Sequence, residues 1–251
     1  MFNQEDVLIP FNTSPLPSGP WLVFAPHADD ETFGMGGTLL KAKQQGIETH
    51  LVVLTDGSLG GDIDNLTEIR KAEVERASKL LGIRSLHCWS EPDRSLHLSS
   101  EVIRKTSEII SNISPASVFF PGVLEIHPDH RATAYIVWDS LRELRAEGVT
   151  PEPFSYEIGV QNPINLLINV TDQRENKNLV MQVYKSQNEE NNYPELVTAL
   201  DKGRTFSLPK EVQYAEGFFR FKASDLEVSL EEMTHRIVEL YQRRPELVKN
   251  T

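Results

Sequence analysis

The sequence WLVFAPHADDETFGMGG, residues 21–37, joins an apolar run to a dense group of acidic residues. Its first six residues are mostly apolar and predict a buried strand, which ends beside His27. Three consecutive acids follow, Asp29, Asp30 and Glu31, and glycines come soon after them. Because adjacent negative charges repel one another, this stretch requires either a positive partner or full exposure to water.

Short β-rich runs alternate with longer amphipathic runs along the rest of the chain. We predict strands at 21–27, 49–57, 85–89, 116–122, 156–160, 165–170 and 215–223, and helices at 36–45, 65–81, 101–113, 126–144 and 177–187. This alternation indicates an α/β fold, with a Rossmann-like, mainly parallel sheet flanked by helices and a mixed C-terminal extension. Residues 1–20 are expected to form an N-terminal arm, and residues 20–251 a single domain.

Composition excludes several classes of protein. The net charge of −12 argues against a nucleic-acid partner, because phosphate binding needs clustered Lys and Arg. Cys88 is the only cysteine, which precludes an internal disulfide and favours a reducing compartment. The N-terminus carries acids where a signal peptide carries basic residues, and no run reaches the roughly 18 apolar residues of a membrane span. We therefore expect a cytoplasmic protein without an integral membrane segment.

A second polar cluster follows the fourth predicted strand. Residues 121–131 read PGVLEIHPDHR and place His127, Asp129 and His130 just after an apolar run. In an open parallel sheet, the binding crevice lies beyond the carboxyl ends of the strands, so this cluster and the first one are expected to face each other. Histidine nitrogen and aspartate oxygen are ligands of zinc, and a catalytic zinc has three protein ligands plus water. The two clusters therefore predict a metal site.

Helix capping is the simpler explanation for the acids at 29–31. Acidic side chains before a helix are favoured by its free N–H groups and by its dipole. Capping accounts for one or two of the acids, but it explains neither His27 nor three in a row.

Several segments resemble the LmbE/PIG-L family of zinc-dependent de-N-acetylases. The run from His27 to Glu31, followed by GMGGTLLKAKQQG and LVVLTDGSLGGD, is similar to one signature of that family, and IHPDHRA is similar to another. The likeness continues through RKAEVERASKLLG, VYKSQ and YAEGFFRF, and so covers roughly residues 20–221. Ala28 stands where the family usually has proline, which affects the stiffness of the turn but removes no metal-binding side chain.

The resemblance implies a ligand set and a mechanism. It assigns one zinc ion to His27, Asp30 and His130, although iron or another divalent metal can occupy such a donor set. Asp29 is then the general base for a metal-activated water that attacks an amide, and His127 stabilises the oxyanion and protonates the leaving amine. The implied activity is removal of an acetyl group from an N-acetylated amino sugar or sugar conjugate.

Three further residues are assigned supporting roles, and two of them have an alternative interpretation. Asp129 is expected to orient one of the histidines. Glu31 is either a first-turn acid favoured by the helix dipole or a partner that orients His27. Arg70 either contacts the substrate, as the resemblance implies, or is a solvated helix residue that pairs with Glu73 three positions later.

Two other functions remain open from the residues alone. A metal-dependent phosphoesterase also needs a carboxylate-rich crevice, but the shortage of basic residues near the motifs disfavours a phosphate substrate. A nucleotide-binding protein without hydrolase activity is suggested by Gly34, Gly36 and Gly37 and by Asp56 after the second strand. The third glycine of the dinucleotide-binding pattern is absent, and the acids would repel a pyrophosphate.

Overall fold

The computed structural model describes residues 10–242, so that residues 1–9 of the predicted arm and residues 243–251 lie outside the described part. The strands in that part are β1 (Trp21–Ala25), β2 (Thr49–Thr55), β3 (Ser85–Glu91), β4 (Ser117–Pro121), β5 (Glu152–Tyr156), β6 (Leu166–Asn169) and β7 (Ala215–Arg220). The α-helices are α1 (Asp30–Gln44), α2 (Leu66–Leu81), α3 (Ser100–Ile113), α4 (Pro128–Ala146), α5 (Arg174–Met181), α6 (Lys185–Asn188), α7 (Tyr193–Gly203) and α8 (Leu230–Gln242).

The strands form one sheet in the order β3-β2-β1-β4-β5-β7-β6. β7 runs antiparallel to both of its neighbours, and the pairs from β3 to β5 are parallel. After β1 the chain adds β2 and β3 on one side and then returns to place β4 on the other side of β1. This reversal of strand order opens a crevice at the carboxyl ends of β1 and β4, where open α/β sheets bind ligands.

Both faces of the sheet are buried. Trp21, Val23 and Ala25 of β1 belong to one apolar cluster, and Leu22 and Phe24 belong to another, because successive side chains of a strand point to opposite faces. Helices cover both faces, which explains why β1, β2 and β4 are continuous apolar runs rather than alternating ones. The prediction of a mainly parallel α/β sheet flanked by helices is confirmed.

Helix α1 begins at Asp30, six residues before the predicted start at Gly36, and it is kinked at Met35. Gly34 therefore lies inside the helix, as Gly36 and Gly37 do. A Cβ atom on Gly34 would collide with the backbone of Glu157, and one on Gly37 would lie 2.7 Å from Val170. These glycines let the helix approach the segments that follow β5 and β6.

Other differences concentrate in the C-terminal third. β5 covers 152–156 instead of 156–160, the predicted helix at 177–187 divides into α5 and α6, and the sequence analysis missed α7 and α8. Cys88 is exposed on the edge strand β3. Within residues 10–242, no helix combines the length and apolar character needed to cross a bilayer.

Candidate active site

The ends of β1 and β4 bring the two polar motifs together at one edge of the sheet. His27 follows β1, whereas His127 and His130 lie at the start of α4, just after β4. The ring centre of His27 is 4.6 Å from that of His127 and 5.4 Å from that of His130. The chain topology thus assembles one cluster from residues that are far apart in the sequence.

Asp30 lies between two imidazole rings. Its Oδ2 atom is 3.1 Å from Nδ1 of His27 and 3.3 Å from Nε2 of His130. Two ligand atoms on a tetrahedral zinc, each about 2.0–2.1 Å from the ion, lie about 3.3 Å apart. The donor types and their spacing fit a divalent metal ion, while the assignment of these three residues as its ligands stays a prediction.

The cluster contains more donors than a three-ligand centre needs. His27, His127 and His130 present nitrogen atoms that all lie within 4.8 Å of one another. His27, Asp93, His127 and Asp129 form a second such group. Donors left over from metal binding remain available to orient a ligand or to contact a substrate.

The charges of Asp30 and His130 stabilise each other. Burial alone would raise the pKa of Asp30, but His130 and His27 beside it hold that pKa well below its usual range. Burial opposes the charged form of His130 as well, and the neighbouring Asp30 and Glu125 nevertheless raise its pKa to about 9. Asp30 is therefore an ionised carboxylate, the form in which it can bind a cation.

Asp29 has a strained backbone. Its φ of 138° and ψ of −30° lie in a region that non-glycine residues rarely adopt, at a typical cost of about 1–3 kcal/mol. It occupies the N-cap position of α1, yet its side chain makes no capping hydrogen bond, so capping does not explain this acid. Instead its Oδ2 accepts a hydrogen bond from Nη2 of Arg70 at 3.3 Å. Burial raises the pKa of Asp29 to about 8, and Arg70 opposes that increase.

Arg70 is buried at the edge of the cluster and does not pair with Glu73. Its Nη2 donates to the carbonyl oxygen of Ala28 at 3.1 Å as well as to Asp29, whereas Glu73 accepts from the backbone and hydroxyl of Ser186. The interpretation of Arg70 as a solvated helix residue is therefore wrong. Its Nε has no hydrogen-bond partner within residues 10–242, and contact with the substrate stays a prediction.

Glu31 faces away from the histidines. Its Oε1 accepts hydrogen bonds from the hydroxyls of Tyr184 at 2.5 Å and Thr32 at 2.6 Å, and its Oε2 accepts from the backbone N–H of Asp29 at 3.3 Å. No hydrogen bond joins it to His27 among residues 10–242, so the prediction that it orients this histidine is wrong. Its position in the first turn of α1 agrees with the helix-dipole alternative.

His127 caps helix α4. Its Nδ1 accepts a hydrogen bond from the backbone N–H of Asp129 at 3.2 Å. An imidazole nitrogen that accepts carries no proton, so the neutral ring has its proton on Nε2. Burial lowers the pKa of His127, and the positive charges of His27 and His130 add to this effect. A neutral ring with an Nε2–H is a hydrogen-bond donor of the kind that an oxyanion requires.

Two carboxylates contact the outer nitrogen of His27. Oδ2 of Asp129 lies 3.2 Å and Oδ1 of Asp93 lies 3.3 Å from its Nε2. Asp129 also accepts from the backbone N–H groups of Arg94 and Leu96, which fixes its position. The structure thus places Asp129 where it can orient a histidine, and it brings Asp93 to the same nitrogen as a second carboxylate.

Sequence analysis missed Glu125. It is buried, it accepts hydrogen bonds from the backbone of Ile158 and Gly159 and from Asn162, and its Oε2 lies 3.6 Å from Nδ1 of His130. Its position two residues before His127 was a signal in the sequence, but its partners lie more than thirty residues away.

The cluster lies on the floor of a cleft of about 740 Å³. One wall is apolar, because α7 directs side chains at helical spacing into the cleft, beside Phe33 and Ile158; these are Tyr193, Leu196, Val197 and Leu200. The lining also has a polar part, which includes Arg70 and Arg94. A volume of this size accommodates a small organic ligand.

Comparison with known proteins relates this cleft to deacetylases. Residues 22–141 match the family described as PIG-L, GlcNAc-PI de-N-acetylase. A probable N-acetyl-α-D-glucosaminyl L-malate deacetylase 2 from Bacillus anthracis is 33% identical in an alignment of 132 residues that covers 48% of this chain and 58% of the relative. A diacetylchitobiose deacetylase from Thermococcus kodakarensis is 32% identical over 123 residues, which are 46% of each chain. This chain therefore aligns with about half the length of these curated relatives.

The fold extends the similarity beyond the aligned half. The crystallised N,N'-diacetylchitobiose deacetylase from Pyrococcus horikoshii superposes with a TM-score of 0.72 at 26% identity, over 84% of this chain and 86% of that one. Together, the family match and this superposition confirm the resemblance that the motifs indicated.

Proposed function

We propose that this protein, whose residues 22–141 match the PIG-L family, is a metal-dependent hydrolase acting on the N-acetyl group of an amino sugar or sugar conjugate. One observation carries the proposal. Oδ2 of Asp30 lies 3.1 Å from Nδ1 of His27 and 3.3 Å from Nε2 of His130, and Asp29, the preceding residue, lines the same large cleft.

The residues around those donors divide the chemistry among them. A divalent ion, most simply zinc, supplies a Lewis acid for the amide carbonyl and makes a water molecule more acidic. Asp29 lines the cleft and takes up the proton that the attacking water loses. Arg70 holds Asp29 in place through its Oδ2. His127 donates a hydrogen bond from Nε2 to the carbonyl oxygen as that oxygen gains negative charge. The proton that Asp29 took from the water then passes to the departing amine, because a neutral His127 has no second proton to give.

Orientation of the ligands comes from the surrounding carboxylates. Asp129 and Asp93 accept from Nε2 of His27, which leaves Nδ1 free to bind the ion. Glu125 has the corresponding position beside Nδ1 of His130. Such outer partners fix the tautomer and the ring orientation of a metal-bound histidine.

The names of the relatives support the substrate class. Both curated relatives are named for the removal of an acetyl group from a compound that contains N-acetylglucosamine, although one compound carries malate and the other a second sugar. The feature common to both is the 2-acetamido sugar. We therefore propose an N-acetylated amino sugar as the reacting unit and leave its substituent unassigned.

A direct assay tests this proposal. Purified protein is stripped of metal, reloaded with zinc or ferrous iron, and assayed for acetate release from N-acetylglucosamine, a simple N-acetylglucosaminide and diacetylchitobiose. An O-acetylated sugar and p-nitrophenyl phosphate serve as matched substrates for esterase and phosphoesterase chemistry. We expect metal-dependent acetate release from at least one amide. Phosphate release without acetate release would show that the protein is a phosphoesterase and not a deacetylase. A protein that binds no metal would contradict both functions.

A further inference from the structure

The strained backbone of Asp29 requires external support. Its φ of 138° lies in the positive region. The backbone N–H and the side-chain carboxylate of this residue each have a hydrogen-bond partner. The carboxylate accepts from Arg70, and the N–H donates to Oε2 of Glu31. A residue in a rare conformation persists only when its surroundings over-determine that conformation.

Glu31 in turn depends on a distant side chain. It is fully buried, and its Oε1 receives the hydroxyl of Tyr184 at 2.5 Å, 153 residues further along the chain. Tyr184 is also fully buried and comes from the short segment between α5 and α6. Thr32 supplies the second hydroxyl to the same oxygen. A buried carboxylate needs its hydrogen-bond donors, because burial without them is costly.

We propose that Tyr184 is a positioning residue that holds Glu31, and through it the backbone of Asp29, in the orientation needed for proton removal. The inference rests on the proposed function, in which Asp29 is the base. Tyr184 does not line the cleft, so its effect on the reaction is transmitted through Glu31 rather than by contact with the substrate.

Tyr156 provides a matched control. It is also a buried tyrosine under α1, but its hydroxyl donates to the backbone carbonyl of Phe24 at 2.9 Å and not to the acids at 29–31. Substitution of either tyrosine by phenylalanine removes one buried hydroxyl and the hydrogen bond that it donates. The two variants are therefore expected to lose similar stability, and only Tyr184→Phe is expected to alter catalysis.

The experiment compares wild type, Tyr184→Phe and Tyr156→Phe. For each protein, kcat and KM are measured on the amide that the wild type hydrolyses, metal affinity is measured by titration of the apoprotein, and the unfolding midpoint is recorded. Because a misplacement of 1 Å can cost about 10²-fold in rate, we expect Tyr184→Phe to reduce kcat about tenfold. Its KM and metal affinity should match those of Tyr156→Phe.

A double-mutant cycle tests the route through Glu31. Glu31→Gln and Tyr184→Phe should be strongly non-additive both in log kcat and in the unfolding midpoint of the metal-free protein. Equal kcat values for the two tyrosine variants, or additive effects in the cycle, would overturn the inference while the wild type remains an active deacetylase. An inactive wild type would instead eliminate the proposed function, so the two failures are distinguishable.

Discussion

Helix α1 touches two buried clusters of charge, one at its N-terminus and one at its kink. At the N-terminus, Asp30 faces two histidine nitrogens on the floor of an open cleft. At the kink, Glu216 accepts from the backbone N–H groups of Gly37 and Thr38 and forms an ion pair with Lys177, which also pairs with Asp201.

The difference lies in where each cluster obtains its positive charge. Lys177 supplies a permanent cation at the kink, and its ammonium lies 2.7 Å from both Asp201 and Glu216. At the N-terminus of α1, histidine nitrogens and carboxylate oxygens lie close together, and their lone pairs can bind a metal ion. The positive charge of this cluster would then come from the metal. Charge alone therefore does not identify a functional site; a closed ion pair stabilises a helix kink, whereas an open set of donors fits a cofactor.

Removal of a candidate ligand should have the largest effect. In His130→Ala we expect the bound metal to fall from about one ion per chain to almost none, since a three-ligand site loses one of its donors. Turnover should become undetectable, while the metal-free protein should fold normally because His130 lies at the start of a helix outside the apolar cores. Elemental analysis and an acetate assay test this. Normal metal content in the variant would show that the ligand assignment is wrong.

Asp29→Asn should separate catalysis from metal binding. The amide is nearly isosteric but cannot take up a proton, so kcat should fall by about 10²–10⁴-fold, the usual contribution of a general base. Metal content should remain that of the wild type. Asp172→Asn, which alters an exposed partner of Lys41, is the control and should retain full activity. An Asp29→Asn protein with normal kcat and reduced stability would show that this residue has a structural role and is not the base.

Lys177→Met should lower the free energy of unfolding through the cluster at the kink, and it should leave metal affinity at the N-terminus of α1 unchanged. It leaves Glu216 and Asp201 buried without their cation, and breaking a buried pair in this way costs about 3–5 kcal/mol. The exposed pair of Lys41 with Asp172 is the control, and Lys41→Met should cost about 0–1 kcal/mol. Urea unfolding measures both free energies. Unchanged stability together with lost metal affinity would contradict the distinction between the two clusters.

The smallest expected effect is a pH dependence at the kink. Burial raises the pKa of Asp201 from its ordinary 3.8 to about 7, despite the opposing charge of Lys177, because one lysine faces two carboxylates. The folded state then binds this proton more tightly than the unfolded state, so the group's contribution to stability decreases as pH rises from about 4 to about 7. Urea unfolding at several pH values should show a flatter profile for Asp201→Asn than for wild type. Identical profiles would contradict this assignment.

Sequence reasoning succeeded where a signal was local. Apolar runs with turn residues between them predicted the parallel sheet, and the short spacing of His27 and Asp30 indicated that one strand end carries donor atoms. It failed where a partner lies far along the chain. The partner of Glu31 is Tyr184 and that of Arg70 is Asp29, and no periodicity in the sequence encodes either pair.

The same limit explains the missed apolar wall of the cleft. Helix α7 repeats apolar residues at helical spacing, but that pattern alone does not distinguish a face packed on a core from one that lines a cavity. Glu125 was missed because an acid near a histidine motif is common, and only the fold brings the backbone of Ile158 to it.

The cap that Glu216 places on the kink of α1 has a consequence for how the protein is made. Chains emerge from the ribosome N-terminus first, and contacts between distant residues must wait for the later residue to appear. The N–H groups of Gly37 and Thr38 find their acceptor 179 and 178 residues later, and Glu31 finds the hydroxyl of Tyr184 153 residues later. The segment 22–141 contains every candidate metal ligand but none of these later partners. The candidate site is thus encoded early in the chain and completed late in synthesis.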